Sequence, residues 1–221
     1  MVNLVFDIET DALDATKIWC VAAYDIDKEK MYVYGPEEID EGIAFLDGAD
    51  KLIGHNIIGF DIPVIKKLTG TDLGTKQISD TLVLSRLFNP TREGNHSLAS
   101  WGYRLGFNKI EFTAFDEFSE EMLPYCENDV MLTFKVYERL KKESRGFSSK
   151  SVSLEHSMAW ALAEQREHGF LIDEQKASIL MAQLQERLLE LEKEVHKEFK
   201  PHKQTYVLRA IVFLSLQNQE S

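Results

Sequence analysis

Residues 4–10, Leu-Val-Phe-Asp-Ile-Glu-Thr, constrain the fold more than any other stretch of the 221-residue chain. Leu4, Phe6 and Ile8 alternate with Val5, Asp7 and Glu9, the period of a strand. Successive strand side chains point to opposite sides, so Asp7 and Glu9 share one face, roughly 6–7 Å apart along the strand. Two carboxylates in a largely apolar strand repel each other and raise each other's pKa unless a cation lies between them. Their hard oxygens suit Mg²⁺ or Mn²⁺. An isolated Asp-x-Glu more often just ends a strand; acids arriving later in matching contexts change the reading.

Those acids are Asp61 and Asp129. Asp61 closes the run Gly54-His55-Asn56-Ile57-Ile58-Gly59-Phe60-Asp61 and opens a helix whose first turn contains Pro63. Asp129 follows Tyr125 by four residues, which puts both side chains on one helix face. Taken singly, a helix-start Asp is usually a cap and a Tyr/Asp pair usually a surface hydrogen bond. Together, a strand with two acids, a helix start with a third and a helix face with a fourth beside a phenol form a cage for two divalent ions, Mg²⁺ or Mn²⁺, about 3.5–4 Å apart.

The rest of the chain reads as an α/β domain with a helical extension. Strands are expected at 18–25 and 30–34 as antiparallel neighbours, with short strands at 51–55 and 78–80. Helices are expected at 37–46, 61–68, 81–88 and 97–105, and over 120–142 as one helix or two meeting near Tyr125. Arg145 to Lys150 is the linker candidate, giving domains at 1–145 and 146–200. Helices at 154–168 and 174–199 follow, the second amphipathic, with Ile179, Leu180, Leu184, Leu188, Leu191 and Val195 in a stripe. The tail, 201–221, contains an apolar segment at Tyr206–Leu216 with no evident place in this scheme.

Charge and cysteine content narrow the functional class. A net charge of -12 excludes a purely electrostatic DNA binder more firmly than it excludes a nuclease, whose carboxylates hold cations. No apolar run is long enough to span a membrane. No leader is evident, and Cys20 and Cys126, far apart in sequence, suit reduced thiols, so a cytoplasmic protein is expected.

Phe-Asp-Ile-Glu-Thr (6–10), His-Asn-x-x-x-Phe-Asp (55–61) and Tyr-x-x-x-Asp (125–129) resemble the three motifs of the DEDDy 3′→5′ exonucleases. Between motifs two and three, residues 80–87 and 96–106 resemble the proofreading domain of T7-phage-type family A DNA polymerases. Residues 153–170 resemble the segment joining that domain to the polymerase half. The resemblance covers about residues 1–200 and implies a ribonuclease-H-like fold, a mixed central sheet flanked by helices. It implies Asp7, Glu9 and Asp129 around a first metal, with Asp7 bridging to a second and Asp61 behind it. Tyr125 would orient the attacking water, and Thr10, His55, Asn56 and Phe60 would flank the terminal nucleotide of a single-stranded or frayed DNA 3′ end. The same residues admit structural duties: Thr10, His55 and Asn56 as turn or cap residues, Phe60 as core. Palm carboxylates and a nucleotide-binding fingers helix have no counterpart here. The expected role is therefore a proofreading part or subunit, with a separate polymerase chain as partner; in a host cell it would be cytoplasmic. Alternatives are a docking module with weak nuclease activity, and a DEDD exonuclease acting on RNA or in repair.

Overall fold

The computed structural model describes residues 1–200, so the apolar tail segment at 206–216 lies outside the described residues. Contacts divide the chain into a unit spanning Met1–Gly169 and a second beginning at Phe170. The first holds a five-stranded sheet in the order β3-β2-β1-β4-β5, made of β1 (Asn3–Thr10), β2 (Ile18–Asp25), β3 (Lys30–Tyr34), β4 (Lys51–Gly54) and β5 (Gln77–Asp80). β1 pairs antiparallel with β2 and parallel with β4, and β5 extends the parallel edge. The acid-bearing strand is thus the centre of a mixed sheet, where a near-continuous apolar run belongs.

Alternation along β1 sorts its side chains into two cores. Leu4, Phe6 and Ile8 pack with Ile43 and Leu46 of α1 (Ile39–Asp47) and with Ile62 and Ile65 of α2 (Asp61–Thr69). Val5 faces the other way, onto Met122, Cys126 and Val130 of α5 (Met122–Glu143). Asp7 and Glu9 share that second face, so they point into the layer beneath α5. α3 (Thr81–Phe88) and α4 (Leu98–Leu105) close a third core against α5 through Leu84, Trp101, Leu132 and Leu140. The region 120–142, open to reading as two helices, is one unbroken helix through Tyr125. Pro124 lies in its first turn, where a missing N–H disturbs nothing.

α6 (Ser149–His168) belongs to the first unit, so the structural division falls at Gly169 rather than at the expected linker, which is a short connection between α5 and α6. Its anchor is polar. His156, buried, accepts a hydrogen bond from the Asp80 amide at Nε2 (3.0 Å) and donates from Nδ1 to the Val152 carbonyl (2.8 Å), which fixes a neutral ring with the proton on Nδ1. Trp160 packs on the first core, and Arg166 donates to the Gly59 carbonyl (2.5 Å).

The second unit is described by α7 (Glu174–Glu198), N-capped by Asp173, whose carboxylate accepts from the Lys176 amide. No side chain of α7 is buried; Leu184, Leu188 and Val195 are each more than half exposed. Among the described residues, no helix is long and apolar enough to cross a membrane.

Candidate active site

Two helices converge on the carboxylates of β1. α2 begins at Asp61, whose Oδ1 accepts the Ile8 amide (3.3 Å), so the third acid touches the backbone between the first two. α5 presents Tyr125 and Asp129, both buried. Glu9, Asp61 and Asp129 are buried as well, while Asp7 keeps part of its surface open to solvent.

Burial raises all four acids above their ordinary range. Enclosure by protein raises Asp7 well above the usual carboxylate value, and Asp61, Glu9 and Asp129 push it further. Burial and Asp129 push Glu9 up to about 8, against the pull of Lys109. Burial carries Asp61 up to about 7, although its backbone hydrogen bonds oppose the shift. Asp129 is raised because its burial outweighs the attraction of Lys109. Burial also raises Tyr125, so its phenol keeps its proton at neutral pH.

One cation answers this cluster, and the sequence reading did not find it. Lys109, on the loop from Phe107 to Glu121, places its Nζ 2.5 Å from Asp129 Oδ2 and 5.0 Å from the centre of the Tyr125 ring. The loop is held in place by Trp19, which donates to the Phe115 carbonyl (2.8 Å), and by Asn128, which accepts the Ile110 amide (3.3 Å). Phe112 and Phe115 pack on the Tyr125 ring, with centroids 5.4 and 5.8 Å away. Lys109's own pKa is raised by Asp129 and Tyr125, even though its burial works the other way. No periodicity marks this loop, so only the three-dimensional packing reveals the lysine.

The donor set fits a divalent cation. Asp7, Glu9, Asp61 and Asp129 offer carboxylate oxygens, the ligands a hard divalent ion takes, and Asp129 Oδ1 is buried with no hydrogen-bond partner among the described residues. One carboxylate oxygen each from Asp7 and Glu9 lies, with the Cys126 sulfur, in a group whose members are all within 4.8 Å of one another.

The four residues expected beside the substrate divide into framework and lining. Thr10 is buried and donates to the Ala12 carbonyl (3.0 Å), closing the turn after β1. His55 Nδ1 donates to the Thr81 hydroxyl (2.8 Å), which itself donates to the Gly54 carbonyl (3.0 Å). Burial, with Lys109 and Arg86 nearby, lowers His55 to about 4, so its ring is neutral. Asn56 takes a positive φ of 68°, a conformation Asn tolerates, and its amide is held by Asp80 Oδ1 (2.9 Å). Asp80, a second residue that sequence reading did not single out, also accepts the amides of Ile58 (3.1 Å) and Leu82 (2.9 Å). It thereby fixes the loop that delivers Asp61. Gly54 is required there by close approach: a Cβ would stand 2.1 Å from Ile57 Cγ2.

Phe60 is half-buried against the first core. With Asn56 it also lines a cavity of about 910 Å³ between the turn after β1, α2 and α6, whose other walls include Leu13, Lys67, Trp160 and Arg166. Leu13 is 91% exposed, an apolar side chain left in solvent at the mouth of this cavity.

A mixed five-stranded sheet with acids on its central strand and helices on both faces is a ribonuclease-H-like fold. In sequence the chain is related to the DNA-directed DNA polymerases of Escherichia phage T7 and Enterobacteria phage T3. It is 27% identical to each, across 89% of this chain. It spans 37% of the length of those relatives. No family model matches. Among solved structures, NrnC of Brucella melitensis with bound Mg²⁺ shares the fold at a TM-score of 0.58 and 18% identity, over 76% of this chain and 86% of that one. The POL domain of Pol1 from M. smegmatis, in complex with DNA primer-template and dNTP, shares it at 0.58 and 14%, over 89% of this chain and 33% of that one. The catalytic core of RRP6 from Trypanosoma brucei shares it at 0.52 and 15%, over 74% and 46%.

Proposed function

We propose that the chain is a metal-dependent 3′→5′ exonuclease acting on DNA 3′ ends, the proofreading part or subunit of a phage-type family A DNA polymerase. One observation carries the reading: Asp7, Glu9, Asp61 and Asp129 come from three separate elements to lie so close that the other three raise Asp7. No structural need explains four acids gathered in the interior. Kinship with DNA polymerases supports DNA as substrate, and the Mg²⁺ of NrnC supports a divalent ion.

Asp7, Glu9, Asp61 and Asp129 would hold two divalent ions, Mg²⁺ or Mn²⁺, which supply Lewis acidity toward a water and toward the scissile phosphate. Asp7 is the acid acted on by all three others, the placement wanted of a shared ligand. Tyr125, protonated at neutral pH, acts as a hydrogen-bond donor rather than a base and orients the nucleophilic water. Lys109 holds the Asp129–Tyr125 face together with one positive charge, on the side from which an anionic backbone would approach. Leu13 and Phe60 offer apolar surface to the unpaired terminal bases of a frayed single strand, and Asn56 lines the same cavity. The products are nucleoside monophosphates.

The exposed apolar stripe of α7 supports a second element of the reading, a separate polymerase chain as partner. α6 is tied to the first unit through His156 and Arg166, yet it leaves Leu154, Met158 and Leu162 exposed, so that contact can draw on α6 as well as α7. The decisive experiment is incubation with end-labelled single-stranded DNA and RNA, with Mg²⁺ or EDTA. Mononucleotide release from DNA 3′ ends that stops in EDTA is expected. Digestion from the 5′ end, digestion that persists in EDTA, or a clear preference for RNA would overturn the reading.

A further inference from the structure

The acids of β1 share their layer with two thiols. Register places Glu9 opposite Cys20 of β2, so these side chains stand next to each other on the face beneath α5. Cys126, one residue beyond Tyr125, enters the same layer from the helix; both cysteines are free and fully buried beside Val5 and Ala22. The Cys126 sulfur lies 3.6 Å from the Asp7 carbonyl oxygen, and it forms one compact group with a carboxylate oxygen from each of Asp7 and Glu9. Nothing in the proposed exonuclease chemistry uses it, since Mg²⁺ and Mn²⁺ take oxygen and leave a thiol alone.

Zn²⁺ and Cd²⁺ discriminate the other way. Both favour thiolate; Zn²⁺ makes bonds of about 2.3 Å to sulfur and about 2.0–2.2 Å to oxygen, which set tetrahedral ligand atoms about 3.3–3.8 Å apart. Three donors already within 4.8 Å of one another reach that spacing by small side-chain shifts. Asp129 Oδ1, buried, without a hydrogen-bond partner and near enough to raise Glu9, is a further acceptor awaiting a cation. Cys20, in the same layer as Cys126 and opposite Glu9, is a second sulfur nearby.

We propose that this thiol-bearing edge of the acid cluster binds a thiophilic divalent ion of the Zn²⁺ class through Cys126 Sγ, Asp7 and Glu9. The inference rests on the reading of Asp7 and Glu9 as ligands of the catalytic ions, because it makes the thiophilic ion a competitor for them. On binding, the Cys126 S–H bond breaks, its proton leaves to solvent and a sulfur–metal bond forms; nothing is oxidised or reduced. Low levels of such an ion would then arrest the enzyme despite an excess of Mg²⁺, and a chelator selective for zinc would release it.

The test uses the full chain stripped of metal, titrated with Co²⁺ as a spectroscopic stand-in for Zn²⁺. A thiolate-to-cobalt charge-transfer band in the near ultraviolet is expected, saturating at one equivalent, erased by Zn²⁺ and absent from Cys126→Ser. Zn²⁺ affinity, measured by competition with a chromophoric chelator, should fall at least about tenfold in the same variant. Cys126→Ala, checked by melting, serves if the serine variant does not fold. A wild type with no band overturns the proposal, as does equal Zn²⁺ affinity in wild type and variant, or a band lost in Cys20→Ala but kept in Cys126→Ser. Neither readout involves DNA, so failure here is distinct from failure of wild-type exonuclease activity in Mg²⁺.

Discussion

α5 and α7 are nearly equal in length, 22 and 25 residues, and both carry an apolar row at helical spacing, yet they meet opposite fates. α5 lays Met122, Cys126, Val130, Leu132, Val136 and Leu140 into the interior and takes Tyr125 and Asp129 in with them. α7 buries nothing. Periodicity makes a helix able to bury a face; a sheet already lined with apolar residues decides whether it does. The difference also explains how an acid becomes reactive. Asp129 is raised because α5 carries it under protein, whereas the acids of α7 remain in water.

The largest expected effect breaks the α5 side at its metal end. Asp7→Ala should abolish turnover, a loss on the order of several kcal/mol of transition-state stabilisation, because Asp7 lies within electrostatic reach of the three other acids. The metal-free melting temperature should hold or rise, since a repelling carboxylate is gone. Nuclease assay and melting of wild type and variant without metal check both halves; unfolding of the variant would refute the assignment.

Next comes the core. Leu132→Ala, at a fully buried position between α3, α4 and α5, should cost about 2–5 kcal/mol in chemical denaturation.

The acid cluster should also give the metal-free protein a pH signature. Glu9 has an ordinary value of 4.5 and is raised to about 8 in the folded chain. Between those values the folded state keeps a proton that the unfolded state has lost, so stability falls as pH rises through the window, by a few kcal/mol in order of magnitude. Saturating Mg²⁺ should flatten this slope, and Mg²⁺ affinity should rise with pH up to about 8, since binding must displace the proton. Denaturation midpoints across the window, with and without Mg²⁺, measure it; a midpoint that climbs with pH in the metal-free chain would contradict the buried, repelling cluster.

Tyr125→Phe removes one donor and leaves every carboxylate in place, so the rate should drop by about 10–100-fold, with divalent affinity barely changed. The smallest effect belongs to α7: Leu188→Ala should change the stability of the chain alone by less than about 0.5 kcal/mol. Comparable losses for Leu132→Ala and Leu188→Ala would erase the contrast between the two helices.

The parts legible in the sequence are those written in local spacing. Alternation gave β1 to β3 nearly residue for residue, and the capping and breaker residues placed α2, α3, α4 and α7 within a residue or two. The four acids and Tyr125 were visible because each has its own local context. Lys109 was not, because its distance from Asp129 is set by Trp19 and Asn128 holding a loop without periodicity. The nearness of Cys20 and Cys126 depends on strand register and on how α5 crosses the sheet, neither of which spacing encodes. α6 escaped assignment to the first unit because a histidine and an arginine, not a leucine stripe, tie it down.

That histidine also sets a timetable. His156 follows its partner Asp80 by 76 residues. At about 5–20 residues per second of synthesis, the ribosome delivers it some 4–15 s later. Until then the Asp80 amide lacks its acceptor, and Gly59, beside the start of α2, lacks Arg166. The nascent sheet can pair long before the loop leading to Asp61 is secured, so the newborn chain passes through an interval in which it is folded at its centre and unfinished at its business end.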